Sequence, residues 1–123
     1  MKSSWVVGVV VLVIAVVSGL LFLQSSQPGA LDEFAACLKD RDAIFYGTFW
    51  CPHCQNQKKM FGRSARLLPY IECSTPDGQS QLAICTEKDV QSYPTWTFAD
   101  GSRETGEVAL GTLAEKTGCS LPK

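Results

Sequence analysis

Apolar positions recur along the chain with three different spacings, and each spacing predicts a different kind of element. The first stretch has no polar face at all. Trp5–Leu23 (WVVGVVVLVIAVVSGLLFL) runs 19 residues without a charge. As a helix it would be about 28 Å long, close to the roughly 30 Å hydrocarbon thickness of a bilayer. A core helix of a soluble domain would keep a polar stripe, and this run has none. The second spacing is helical. Leu31, Phe34, Ala35 and Leu38 fall at i, i+3, i+4, i+7 within Leu31–Lys39 and predict an amphipathic helix with Asp32 and Glu33 in its first turn. The segment after Cys51 has helix formers and no proline until Pro69; Gly62 bends or ends that helix. Gln81–Val90 and Leu110–Thr117 predict two further helices, the last stopping at Gly118. The third spacing belongs to strands: Ala43–Phe49, Tyr70–Cys73, Thr95–Phe98 and Ser102–Gly106, the last two joined by a hairpin turn at Asp100-Gly101. After the apolar run the predicted order is α-β-α-β-α-β-β-α, without internal repeats.

Three regions follow: an apolar N-terminal segment at 1–23, a polar tether at 24–30 (QSSQPGA from Gln24) and one domain at 31–123. A transmembrane anchor is the favoured reading of the first. A cleaved signal peptide, the alternative, usually has an apolar stretch of about 7–15 residues and a small-x-small cleavage site. This run is longer, and Gln-Ser-Ser-Gln follows it. Lys2 precedes the span while Asp32 and Glu33 follow the tether, so the positive-inside bias puts the domain on the extracytoplasmic side, periplasmic or cell-surface.

Composition adds to this picture mainly through charge and cysteine. With 11 Lys and Arg against 12 Asp and Glu, the net charge of −1 excludes the basic excess that drives nucleic-acid binding. All six cysteines lie beyond the tether: Cys37, Cys51, Cys54, Cys73, Cys85 and Cys119. An even count in an exported chain suggests disulfides, and a domain of this size gains from such staples.

Cys51-Pro52-His53-Cys54 stands where a predicted strand hands over to a helix. Cysteines at i and i+3 of a helix start lie on one face within bridging reach. Pro52 fits the first helical turn, where a missing N–H is harmless. A thiolate at Cys51 would meet free backbone N–H groups and the positive end of the helix dipole, with His53 adding charge or a hydrogen bond. Lys58, Lys59, Arg63 and Arg66 contribute a weaker, screened field on what is otherwise a solvated helix face or a docking patch. Cys54, deeper in the helix, would be the resolving thiol. Three alternatives compete with redox chemistry. Zinc needs four ligands, commonly two CxxC pairs, and this chain has one CxxC and one histidine; no metal site is expected. Haem attachment requires His directly after the second cysteine, where Gln55 stands. The third is a purely structural disulfide.

These residues carry a family resemblance. Tyr46-Gly47, Phe49-Trp50-Cys51-Pro52-His53-Cys54-Gln55, Phe61-Gly62, Leu68-Pro69-Tyr70, Glu72-Cys73, Cys85 and Tyr93-Pro94-Thr95-Trp96 together resemble the thioredoxin-like domain fused to, or accompanying, bacterial vitamin K epoxide reductase homologues. The resemblance spans roughly Leu31–Gly118. It implies an α/β thioredoxin-like fold, a central mixed sheet flanked by helices, and a thiol–disulfide oxidoreductase that needs no cofactor. It further implies a cis peptide before Pro94 beside the active pair. Tyr93 and Thr95 would then offer backbone groups to an extended substrate segment, and Trp50 and Tyr93 an apolar rim.

The four remaining cysteines allow three pairings. The resembled family has a pair like Cys73–Cys85, which leaves Cys37–Cys119 to tie the domain's ends; Cys73 or Cys85 exchanging with the active pair is the rival. In a full thioredoxin fold the first and last helices cover opposite sheet faces, so a Cys37–Cys119 bridge would require Cys119 to reach round the sheet edge. The implied partners are protein thiols or disulfides and a vitamin K epoxide reductase-like membrane protein. The implied activity is oxidation of substrate thiols. A reductase or isomerase of the same fold, or an anchored binding module with structural cysteines, are the alternatives.

Overall fold

The computed structural model describes residues 1–25 and 27–123. The apolar run forms helix α1 (Lys2–Ser25), long and apolar enough to cross a membrane. It takes in Gln24 and Ser25, the first residues of the expected tether, while Ser26 lies outside the described residues. The domain then runs α2 (Asp32–Asp40), β1 (Ile44–Gly47), α3 (Pro52–Phe61), a 3-10 segment (Gly62–Leu67), β2 (Tyr70–Glu72), α4 (Ala83–Glu87), β3 (Thr95–Thr97), β4 (Arg103–Thr105) and α5 (Leu110–Thr117). The four strands form one mixed sheet in the order β2-β1-β3-β4, with β1 parallel to β2 and antiparallel to β3. This is the expected thioredoxin-like fold.

Strand alternation sorts the core into two layers. Phe45 of β1 faces one side, stacked on Trp96 of β3 with ring centroids 4.9 Å apart, its register partner across the strands. That side collects Phe34, Ala35 and Leu38 of α2, Phe61 of α3 and Leu113 of α5, all buried. Tyr46 points to the other side with Cys73, Cys85 and Val90. Helices α2, α3 and α5 therefore share one face, and α4 lies on the other.

This arrangement corrects the expectation that a Cys37–Cys119 bridge must pass round the sheet edge. Among the described residues no strand precedes α2 to commit it to the opposite face, and α2 packs beside α5. Cys37 and Cys119 are joined directly, S–S 2.10 Å, and Cys73 and Cys85 likewise, S–S 2.01 Å. Gly118 ends α5 at φ 72°, left-handed backbone that glycine adopts freely, and so turns the chain toward Cys119. On the neighbouring surface Arg66 grips Asp32 with two hydrogen bonds, 2.7 and 2.6 Å, and the Leu31 N–H donates to Ser64 Oγ at 3.0 Å. The start of α2 is thus seated on the 3-10 segment.

Candidate active site

The site forms because β1 stops at Gly47 and the next residues peel away from the sheet. Cys51 is the N-cap of α3, with extended backbone (φ −79°, ψ 119°), and Pro52 opens the helix. The Cys51 carbonyl accepts the first helical hydrogen bond from the Gln55 N–H at 3.1 Å. The Cys51 sulfur takes the place of a capping oxygen, accepting the Cys54 N–H at 3.4 Å. Its thiol donates in turn to the Tyr93 carbonyl at 3.7 Å. The Tyr93–Pro94 peptide is cis.

The two thiols are unbonded and unequally placed. Cys54 is fully enclosed, whereas Cys51 keeps 5% of its surface in solvent. Burial pushes the Cys54 thiol up to about 12, and its hydrogen bond with Cys51 adds to the rise; the Thr48 backbone and the Lys58 ammonium oppose it without reversing it. Cys54 can sit so deep because residue 47 is glycine. A side-chain carbon there would stand 2.9 Å from both Cys54 Sγ and Tyr70 Cε2.

A polar brace supports the turn. The Glu72 carboxylate accepts the Phe49 N–H at 3.2 Å, the Ser74 N–H at 2.9 Å and the Tyr70 hydroxyl at 2.8 Å. Burial and this anionic partner both raise the Tyr70 phenol above its ordinary range. Lys58 lies over the Tyr70 ring, 3.6 Å from its centroid. Gln55 donates to the Phe49 carbonyl at 2.9 Å, and the Trp50 indole N–H donates to Ser74 Oγ at 3.0 Å. Trp50 also meets Tyr93 edge-on at 6.0 Å. With their backbones held this way, Phe49 and Trp50 still expose half of their surface, 50% and 52%.

The structure thus gathers Trp50, Cys51, Pro52, Cys54, Tyr93 and Pro94 at one point. Thr95 differs from the expectation that it offers backbone groups outward: it is buried in β3, with sheet neighbours Tyr46 and Thr105 on either side. The segment left facing Cys51 is Tyr93-Pro94. His53 is turned elsewhere, its Nδ1 2.7 Å from Glu107 Oε2. The basic helix face is largely committed within the fold, since Lys58 covers Tyr70, Arg63 donates to Gln27 at 3.0 Å and Arg66 holds Asp32. Sequence reasoning missed Glu107, Gln57 and the Tyr70–Glu72 brace. Only the brace, at i and i+2 on one strand face, left a local signal.

The chain is similar to curated proteins named for related chemistry. One is thiol-disulfide oxidoreductase LTO1 of Arabidopsis thaliana, 43% identical over 102 residues. Another is protein disulfide isomerase-like 5-1 of Oryza sativa subsp. japonica, 27% identical over 77 residues. The alignments cover 79% and 57% of this chain. The chain spans only 26% of the Arabidopsis protein and 52% of the rice protein. No family model matches the chain. Both relatives are named for thiol–disulfide chemistry, the chemistry that one presented and one withheld sulfur can perform.

Proposed function

We propose that the chain is a membrane-anchored, extracytoplasmic thiol–disulfide oxidoreductase that oxidises pairs of protein thiols through Cys51 and Cys54. The observation that carries this reading is the Cys51 sulfur seated as the cap of α3, above an enclosed Cys54. In the disulfide form, a substrate thiolate attacks Cys51 Sγ. The Cys51–Cys54 bond breaks, and Cys54 leaves with the electron pair and takes up a proton. The second substrate thiolate attacks the substrate sulfur of the mixed disulfide and expels Cys51. The substrate has then lost two electrons and gained a disulfide, and the enzyme is the dithiol.

Capping by the Cys54 N–H at the start of α3 stabilises Cys51 as leaving group and so favours the dithiol, which makes the disulfide form an oxidant. The exposed Phe49 and Trp50 and the Tyr93-Pro94 segment would take an extended apolar stretch of substrate beside its cysteine. The apolar α1 supports anchoring, and two further disulfides fit an oxidising compartment. The electrons then pass to a quinone-linked membrane partner of the vitamin K epoxide reductase kind.

The test uses the full chain in detergent. Cys51→Ser should abolish oxidation of a dithiol peptide, and Cys54→Ala should accumulate mixed disulfides that identify substrates and the reoxidising partner. A reduction potential near roughly −120 mV supports an oxidant, whereas one near roughly −270 mV supports the reverse electron flow. Unchanged turnover in Cys51→Ser would discard the reading.

A further inference from the structure

His53 is the chain's single histidine and stands between the two reactive cysteines, yet it makes no hydrogen bond to either sulfur. The Cys51 sulfur has other partners, the Cys54 N–H and the Tyr93 carbonyl. The imidazole Nδ1 is instead 2.7 Å from Glu107 Oε2, on a residue 54 positions away. The segment carrying Glu107 is held on both flanks. On one side the Gly106 N–H donates to the Pro94 carbonyl at 2.8 Å. On the other, Val108 pairs through its backbone with the Gln57 side chain: its N–H donates to Gln57 Oε1 at 2.6 Å, and its carbonyl accepts from Gln57 Nε2 at 2.9 Å. Gln57 is fully buried and lies one helical turn beyond His53. Residues 106–108 therefore bridge the Pro94 side and the α3 side of the site. The Gln57 pairing places Glu107 beside residue 53.

We infer that Glu107 is a positioning residue that sets the redox poise of Cys51–Cys54 by holding His53 to itself. The inference rests on the functional reading above. The Glu107 carboxylate accepts the Nδ1–H and holds the ring turned away from the sulfur, so the imidazole adds little to the stabilisation of a Cys51 thiolate. Removing that charge frees the ring to turn toward the sulfur. The relevant exchange is protein disulfide plus two glutathione thiols giving protein dithiol plus one glutathione disulfide, with two electrons passing to the protein. A freed ring whose N–H donates to the Cys51 sulfur stabilises the product side, so Glu107 keeps the couple less oxidising than the capping of Cys51 alone would make it.

The full chain in detergent, as wild type, Glu107→Gln, His53→Gln and the double variant, is equilibrated against glutathione buffers. Glu107→Gln should shift the equilibrium toward dithiol by about three- to fivefold, the range of an exposed charge pair, or roughly 15–20 mV for a two-electron couple. In the His53→Gln background the same change should move it by less than about twofold, because the pair acts as one unit. No shift, a shift of opposite sign, or equal shifts in both backgrounds would overturn the inference. A ring-nitrogen NMR spectrum reads the contact without relying on redox activity: an Nδ1 proton bonded to carboxylate in the wild type, lost in Glu107→Gln. An unchanged ring spectrum would also overturn it. Failure of the wild-type pair to exchange with glutathione would instead count against the functional reading.

Discussion

Gly47→Ala sets two effects of opposite sign against each other at the floor of the site. In general, replacing glycine by alanine where the backbone allows it stabilises a fold by about 0.4–1 kcal/mol, because the unfolded chain loses freedom. Position 47 is strand backbone at the end of β1, so this gain applies. Against it stands space. The added methyl carbon would lie 2.9 Å from Cys54 Sγ and 2.9 Å from Tyr70 Cε2, about half an ångström inside ordinary contact on both sides. Neither neighbour yields readily. Cys54 is fully buried, and Tyr70 is held by Glu72, Lys58 and the edge of Phe45 at 5.1 Å. Overpacking of this kind costs about 1–3 kcal/mol, so the collision outweighs the backbone gain and leaves a net loss of about 1–2 kcal/mol. For a domain of under a hundred residues this lowers the melting midpoint by about 5–15 °C. Thermal unfolding followed by circular dichroism, with Cys51 and Cys54 as thiols and the two other disulfides intact, measures it. A variant that melts above the wild type would show that the backbone effect acts alone and that the close approach of Cys54 and Tyr70 at Gly47 does not exist.

Cys37→Ser with Cys119→Ser opens a bridge spanning 82 positions and should lower stability by about 4.5 kcal/mol in the loop-entropy account, read as a lower denaturant midpoint. The phenol of Tyr70 is held protonated by burial and Glu72, so stability is intact below the ordinary value of 10.0 and falls as pH rises above it; Tyr70→Phe should flatten that alkaline slope. Asp32 has its carboxyl held below the ordinary 3.8 by the Arg66 guanidinium, so its contribution is present above pH 3.8 and is lost on acidification; Arg66→Gln should reduce the acid-side slope of an unfolding titration.

Much of the architecture could be read from spacing because its elements carry local punctuation. The helix Leu110–Thr117 has the bounds expected from its periodicity and Gly118, and the hairpin at Asp100-Gly101 closes with Gly101 at φ 82°. Strands were less legible at their ends. Ala43–Phe49 shortens to Ile44–Gly47 because Glu72 captures the Phe49 N–H and Gln55 the Phe49 carbonyl, pulling that residue out of the sheet. The helix expected over Gln81–Val90 contracts to Ala83–Glu87. Gln81 bridges Ser74, the Leu82 N–H donates to the Cys73 carbonyl, and Asp89 takes a positive φ. The placement of α2 beside α5 is set by contacts between distant elements, so periodicity within either helix says nothing about it. At the site, the cap and its neighbours follow from the strand-to-helix junction. The contacts His53–Glu107 and Gln57–Val108 cross 54 and 51 positions and leave no trace in local pattern.

The bond between Cys37 and Cys119 makes everything between them a covalent ring. A protease that nicks one peptide bond anywhere from 38 to 118 would open the ring without releasing a fragment. The turn-rich 74–80 loop lies inside a second, smaller ring closed by Cys73 and Cys85. A chain clipped there would migrate as one band until reductant split it in two, and the piece bearing Cys51 would stay attached to α1 throughout.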